Sequence, residues 1–348
     1  MAHRILITGG SGYLGGSLLA ALPTADLPPY EKLYALVRTD EQAAAVKQYG
    51  AEPVSLDPKD EAAVRKGIID HSINIVFFLV DAFTSAAQVN FIRALGELKK
   101  TTGKDVHFLH TTGAKMFSSH TGAPTDGPLK DDDPNLYQIH QAQKSPISIM
   151  QTPIHTNLTV TEESLAHNVS SYIFAPCIVY GRGTGFGNVI SIQTAAIVRA
   201  AKATRKVYSV DDGEPCWPVC HVSDNTGLYL ALLSAILAGS KPPSGKQGFY
   251  LASSGLVKWV HLYAAMAAEL KEQGVVDTAE VRRADEAALE AMARGLGCGT
   301  QMVGVQLGGK CTFMAEHGRS VGWVPNYKPE HVLEAAGEEV RLILEKQK

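Results

Sequence analysis

Short apolar runs separated by polar, helix-length stretches recur through the first half of the chain. Residues 4–7, 32–37, 52–56, 74–80, 106–110 and 171–174 have the length and the aliphatic and aromatic content of β-strands. The run 74–80 is apolar almost throughout, as a central parallel strand covered on both faces must be. Amphipathic helices are expected between the strands, over 17–22, 41–49, 61–70 and 89–99, with Asp60 placed to cap the third. Strand and helix alternate five times, which predicts an α/β fold: a doubly wound parallel sheet with right-handed crossovers.

The second half is less regular. Helices are expected over 161–167, with Thr161 as its cap, and over 188–203, 226–237, 261–273, 284–294 and 331–345. Ser223 or Asp224 would cap the third of these. Residues 295–309 are glycine-rich without a period and read as a flexible flap.

Composition then excludes several classes. A chain of 348 residues, 45% hydrophobic and 19% charged, has the material for a large core and for two domains or one domain with a lobe. Its formal net charge of -3 and the absence of a basic run argue against nucleic-acid binding. There is no apolar run long enough to span a membrane and no signal-peptide pattern, so a cytoplasmic setting is expected. The odd number of cysteines, at 177, 216, 220, 298 and 311, favours buried thiols over a disulfide framework, and Cys216, Cys220 and His221 do not have a usual zinc spacing.

The strongest chemical signal lies where the first strand delivers Thr8-Gly9-Gly10-Ser11-Gly12-Tyr13-Leu14-Gly15 onto a helix N-terminus. Unpaired helix N–H groups and the positive end of the helix dipole make such a junction an anion site. Gly9 permits the tight turn, Gly12 the close approach of a pyrophosphate, and Gly15 the packing of helix on strand.

This spacing resembles the TGxxGxxG motif of the short-chain dehydrogenase/reductase superfamily, in its extended branch of epimerase/dehydratase-like proteins. Other stretches extend the resemblance: 175–183 is similar to RPxxVYGPG, 214–225 to WxxVHVDDL and 318–325 to LGWxP. The resemblance implies a Rossmann domain over residues 1–180, with 207–238 returning to it. A smaller substrate lobe would come from 181–206 and 239–330, and a C-terminal helix from 331–348. It implies a dinucleotide held by Thr8, Gly9, Gly10, Ser11, Gly12, Tyr13, Leu14 and Gly15, with Arg38, Asp57, Leu79, Val80, Thr111, Pro176 and Ile178 completing the site. Arg38 ends the second strand with no acid beside it, which suits a 2′-phosphate and favours NADP over NAD. Asp57 resembles the carboxylate that accepts from the adenine amino group.

The catalytic signature is incomplete. The superfamily's proton donor is a tyrosine followed four residues later by a lysine that lowers its pKa. Tyr137 stands about where that tyrosine is expected, but position 141 is Gln, the nearest cations are His140 and Lys144, and Pro146 halts the helix. Thr111-Thr112-Gly113-Ala114-Lys115-Met116-Phe117 resembles the SSAxVY stretch, with Gly113 at the usual hydroxyl position, so Thr112 would supply the hydroxyl. Tyr137 and Thr112 are therefore the expected catalytic pair, with Lys115, His140, Tyr180 and bound water as other proton donors. The expected activity is NADP-dependent reduction of a carbonyl on a small or medium organic substrate. The alternatives are a nucleotide-sugar epimerase or dehydratase, for which Arg199, Lys202, Arg205 and Lys206 could form a diphosphate clamp, and a non-catalytic NADP-binding regulator. The expected partners are a small-molecule substrate and a second copy in a homodimer, with neither nucleic acid nor membrane.

Overall fold

The computed structural model describes residues 3–347. Strands β1 (Arg4–Ile7), β2 (Lys32–Leu36), β3 (Glu52–Val54), β4 (Ile75–Phe78) and β5 (His107–Thr111) join Ser170–Pro176 and Phe249–Ala252 in one seven-stranded sheet. Every neighbouring pair is parallel. The spatial order is Phe249–Ala252, Ser170–Pro176, β5, β4, β1, β2, β3. The chain moves from β1 outward through β2 and β3, then returns to place β4 on the other side of β1. That reversal opens a crevice at the carboxyl ends of β1 and β4, where doubly wound sheets bind ligands.

The crossover helices are α1 (Tyr13–Ala21), α2 (Asp40–Lys47), α3 (Glu61–Asp70) and α4 (Ala86–Thr102). Asp60 caps α3 as expected, its carboxylate accepting from Ala63 N–H at 3.0 Å. After β5 come α5 (Leu136–Ala142) and α6 (Gln151–Ala166). The expected helix at 161–167 is thus only the end of a longer one. Pro153 sits in the first turn of α6, where its missing N–H has no intrahelical acceptor to lose, and Thr161 bonds back to Asn157 O at 3.0 Å instead of capping.

Above the carboxyl edge of the sheet lies a three-stranded sheet in the order Gly255–Lys258, Cys216–His221, Ile178–Tyr180. The helix Val222–Leu237 follows it and is capped by His221, whose imidazole accepts from Ser223 N–H, rather than by Ser223 or Asp224. Asp224 is buried and holds the C-terminal loop, accepting from Asn326 and Tyr327 N–H at 3.0 Å each. The remaining α-helices among the described residues are Gln193–Thr204, Trp259–Glu272, Glu286–Leu296, Val303–Leu307, His317–Ser320, His331–Glu334 and Ala336–Lys346.

Sheet and lobe share one continuous apolar core, from Ile5 and Val76 through Ile197 and Met266 to Ile343. The division at residue 239 is corrected in one respect, because the edge strand Phe249–Ala252 belongs to the main sheet. Buried Asp131 fixes that edge, accepting from Leu251, Glu316 and His317 N–H. The glycine-rich stretch 295–309 is no free flap at its far end. Gly308 O bonds His120, Gly309 O accepts from Trp259, and Gly309 N–H donates to Asp211. Among the described residues no helix is long and apolar enough to cross a membrane.

Candidate active site

The crevice is a cavity of about 430 Å³. Its floor is the glycine turn. Gly9 has φ +71°, a left-handed conformation that glycine adopts without strain, and it lies against the Leu79 backbone. A Cβ on Gly15 would stand 2.4 Å from Gly9 O, and one on Gly12 3.1 Å from the same oxygen. Gly12 precedes α1 with no side-chain cap, so the N–H groups of the first turn are left for a ligand in the cavity. Thr8 is a buried strut, its Oγ1 accepting from Leu79 N–H at 2.9 Å and so tying β1 to the loop after β4. This cradle, kept tight by glycines at 9, 12 and 15 and left with free helix N–H groups, fits a dinucleotide pyrophosphate.

Gly12, Tyr13, Leu14, Leu79, Val80, Thr111 and Pro176 line the cavity with Gly9 and Gly15. Ile178 does not. It is fully buried, and its neighbours Cys177 and Val179 face the cavity, as alternation along an extended strand requires. Gly10 and Ser11 lie outside the wall. Ser11 Oγ accepts from Gln42 Nε2 at 3.4 Å, while Gln42 Oε1 accepts from the Arg38 N–H at 2.9 Å. Gln42 thereby joins Ser11 to the exposed Arg38 at the end of β2. Asp57 is exposed beyond β3, its carboxylate accepting from Lys59 N–H at 2.9 Å.

The wall opposite the glycine turn is residues 111–116. Thr111 Oγ1 is bonded to Tyr229 OH at 2.9 Å. Thr112 is buried, and its Oγ1 has no hydrogen-bond partner among the described residues. Lys115 also lines the cavity, has no ion-pair partner among the described residues, and has its pKa pulled down to about 8 by burial. Its backbone is fixed, the carbonyl accepting from Ser118 Oγ at 2.7 Å and from Thr121 Oγ1 at 3.2 Å.

Tyr137 is not brought to this wall. It sits in the first turn of α5, facing α6, where its buried hydroxyl donates to Glu162 at 2.8 Å. Burial, and secondarily Glu162, pushes its pKa up to about 12. His140 is fully buried between Gln143 and Asn157. Tyr180 is bonded to His331 at 3.0 Å in the C-terminal region. The long helix α6 carries neither tyrosine nor lysine. Among the proton donors weighed, Lys115 alone is in the cavity wall.

Asn188, Ile192, Gln193 and Trp217 also line the cavity, and the sequence alone does not single them out as cavity residues. Trp217 lies in the stretch similar to WxxVHVDDL, which hinted at its importance but not its position. Asn188 is placed by its N–H to Ser11 O at 2.9 Å, a contact across the fold that no local pattern signals.

Comparison with known proteins bears on the family and the fold. The profile of the NAD dependent epimerase/dehydratase family matches residues 5–244. An uncharacterised protein of Schizosaccharomyces pombe is 22% identical over 242 residues, covering 68% of this chain and 72% of that protein. Among solved structures, UDP-glucose 4-epimerase of Thermotoga maritima has a TM-score of 0.64 at 14% identity, over 98% of this chain and 99% of that one. A dTDP-glucose 4,6-dehydratase of Bacillus anthracis has a TM-score of 0.64 at 13% identity, over 100% and 98%. L-threonine dehydrogenase of Phytophthora infestans has a TM-score of 0.61 at 13% identity, over 97% and 99%. The structural likenesses establish the shared fold, and the profile match establishes the lineage: this chain belongs to the NAD-dependent epimerase/dehydratase family.

Proposed function

We propose that the protein reduces a carbonyl group of a small or medium organic substrate with NADPH, and that Lys115 takes the place of the tyrosine–lysine pair. The observation that carries this reading is a lysine without an ion-pair partner, its pKa near 8, in the wall of the same cavity as the glycine cradle and the unpartnered Thr112 hydroxyl. When bound, the dinucleotide supplies the hydride. Thr112 donates a hydrogen bond to the substrate carbonyl oxygen, and the Lys115 ammonium holds the proton that this oxygen takes up as the carbonyl becomes an alcohol. A general acid is most effective with a pKa near the working pH, and burial brings Lys115 into that range.

The preference for NADPH rests on Arg38, Ser11 and Gln42 grouped at the end of β2 with no carboxylate on the strand end. The nucleotide-sugar alternative lacks its clamp. Arg199 and Lys202 line a separate surface recess with Gly295 and Gln347, and Arg205 is paired with Asp277 at 2.6 Å.

The test is titration with NADPH and NADH, followed by NADPH consumption against a panel of aldehydes and ketones. NADPH-selective binding with carbonyl-dependent consumption, abolished in Lys115→Met, is the expected result. Tight binding with no consumption across the panel would favour a regulatory role, and binding of neither cofactor would remove the reading at its base.

A further inference from the structure

The protein's three tryptophans treat their indole N–H groups differently. Trp259 Nε1 donates to Gly309 O at 3.0 Å, and Trp323 Nε1 to Asp224 O at 2.8 Å. Trp217 is 2% exposed, and its Nε1 has no acceptor among the described residues. A buried indole N–H ordinarily finds a partner, because an unmet buried donor forfeits its hydration for nothing. The tryptophan without one is the tryptophan that lines the active-site cavity.

Trp217 is not free to swing towards a partner. Its ring lies 5.6 Å from that of Trp259 and 5.9 Å from that of His120, centroid to centroid. His120 is in turn bonded to Gly308 O at 2.8 Å. The pinned end of the glycine-rich stretch is therefore the backing of Trp217.

The charge of the cavity is equally informative. Among the described residues Lys115 is the one cation in its wall and Asp81 the one carboxylate, and Asp81 is committed to Phe83 N–H at 2.7 Å and to the Thr84 hydroxyl at 2.5 Å. Ala82, Met116 and Ile192 supply apolar surface apart from the residues expected against the dinucleotide, with Ile192 67% exposed. Outside the glycine cradle that the dinucleotide would occupy, such a wall offers a substrate diphosphate no side-chain counter-charge beyond the lysine that the chemistry uses.

We infer that the substrate is an uncharged, mainly apolar carbonyl compound with a second oxygen acceptor, and that the Trp217 N–H binds this second oxygen while Thr112 binds the reacting one. This rests on the proposed carbonyl reduction and narrows its substrate class. Trp217 is then a substrate-binding residue, silent in the proton transfer.

The test compares two probes of matched apolar size, an aryl β-keto ester and an aryl alkyl ketone, on the NADPH-loaded protein. Trp217→Phe keeps a ring and removes the donor. Its KM for the β-keto ester is expected to rise about tenfold, against less than threefold for the ketone, with the loss in KM rather than kcat. Trp217→His restores a ring N–H and is expected to recover part of the difference. The wild-type protein gives a second readout: adding the β-keto ester should shift one of three indole ¹⁵N–H resonances, whether or not turnover follows. Equal KM changes for both probes, an unmoved indole signal, or turnover of UDP-glucose would overturn the inference. Absence of carbonyl-dependent NADPH consumption, with the indole shift intact, would instead strike the proposed reaction.

Discussion

The glycine turn, residues 8–16, and the wall at 111–117 face each other across one cavity, yet they acquire their properties in opposite ways. The turn is specified locally: Gly15 is a glycine because Gly9 O lies where its Cβ would be, and a Cβ on Gly12 would stand 3.1 Å from the same oxygen. The wall is specified at a distance. Lys115 is an ordinary lysine by sequence, and its lowered pKa comes from the groups that bury it. A binding cradle made of backbone can be recognised by spacing, whereas a reactive side chain made by burial has no spacing to recognise.

The harshest way to break the local half is Gly15→Ala. Its added Cβ would meet the Gly9 backbone at 2.4 Å, so strand, turn or helix must shift. Roughly 2–4 kcal/mol of stability should be lost, together with measurable NADPH affinity. Thermal melting and cofactor titration read both effects, and wild-type affinity in the variant would show that the turn has slack the structure does not suggest.

The distant half is broken by Lys115→Met, with cofactor binding largely retained. Loss of a general acid should lower kcat by roughly 10²–10⁴-fold. The pH dependence sharpens this. Burial disfavours the ammonium, so the folded pKa of about 8 lies below the ordinary lysine value of 10.5. Between those values the folded protein binds fewer protons than the unfolded chain, and stability rises with pH. Activity should move the other way, falling as pH rises through about 8 and the ammonium is lost. Lys115→Met should remove both trends, and a rate that stays flat above pH 8 in the wild type would disqualify the lysine as the acid.

The same contrast explains what could be read from the chain. The strands of the first half, the Asp60 cap and the glycine cradle are each signalled by a pattern of residues close in sequence, and they were legible. The strand Phe249–Ala252 was not, because its edge is held by Asp131, 120 residues earlier than Leu251. Ile178 was assigned to the site although strand alternation turns it into the core and presents Cys177 and Val179. Trp217 lay in a recognisable stretch, but its unmet N–H becomes visible only when the acceptors found by Trp259 and Trp323 are seen.

A milder change probes the outer edge of the cofactor half. Arg38→Ala should weaken NADPH binding by about 10–100-fold and leave NADH nearly unchanged, since one charge-assisted contact to the 2′-phosphate is removed. Parallel titrations check it. Equal losses for both cofactors would make Arg38 an adenine-stacking residue rather than a phosphate ligand.

The smallest expected effect concerns Tyr137, because the familiar pattern would place the chemistry there and the structure places the side chain elsewhere. Its hydroxyl is spent on Glu162 and its pKa lies near 12, so at neutral pH it is both engaged and a poor acid. Glu162 is exposed and can be rehydrated when the partner leaves, so Tyr137→Phe should cost only ~0.5–1 kcal/mol of stability. Carbonyl reduction should stay within about twofold of wild type, where removal of a general acid would cost two orders of magnitude or more. Steady-state rates for Tyr137→Phe beside Lys115→Met therefore decide which residue holds the proton. A collapse in the tyrosine variant alone would mean that α5 rearranges when the cavity fills, and that the wall at 111–117 only shapes the site.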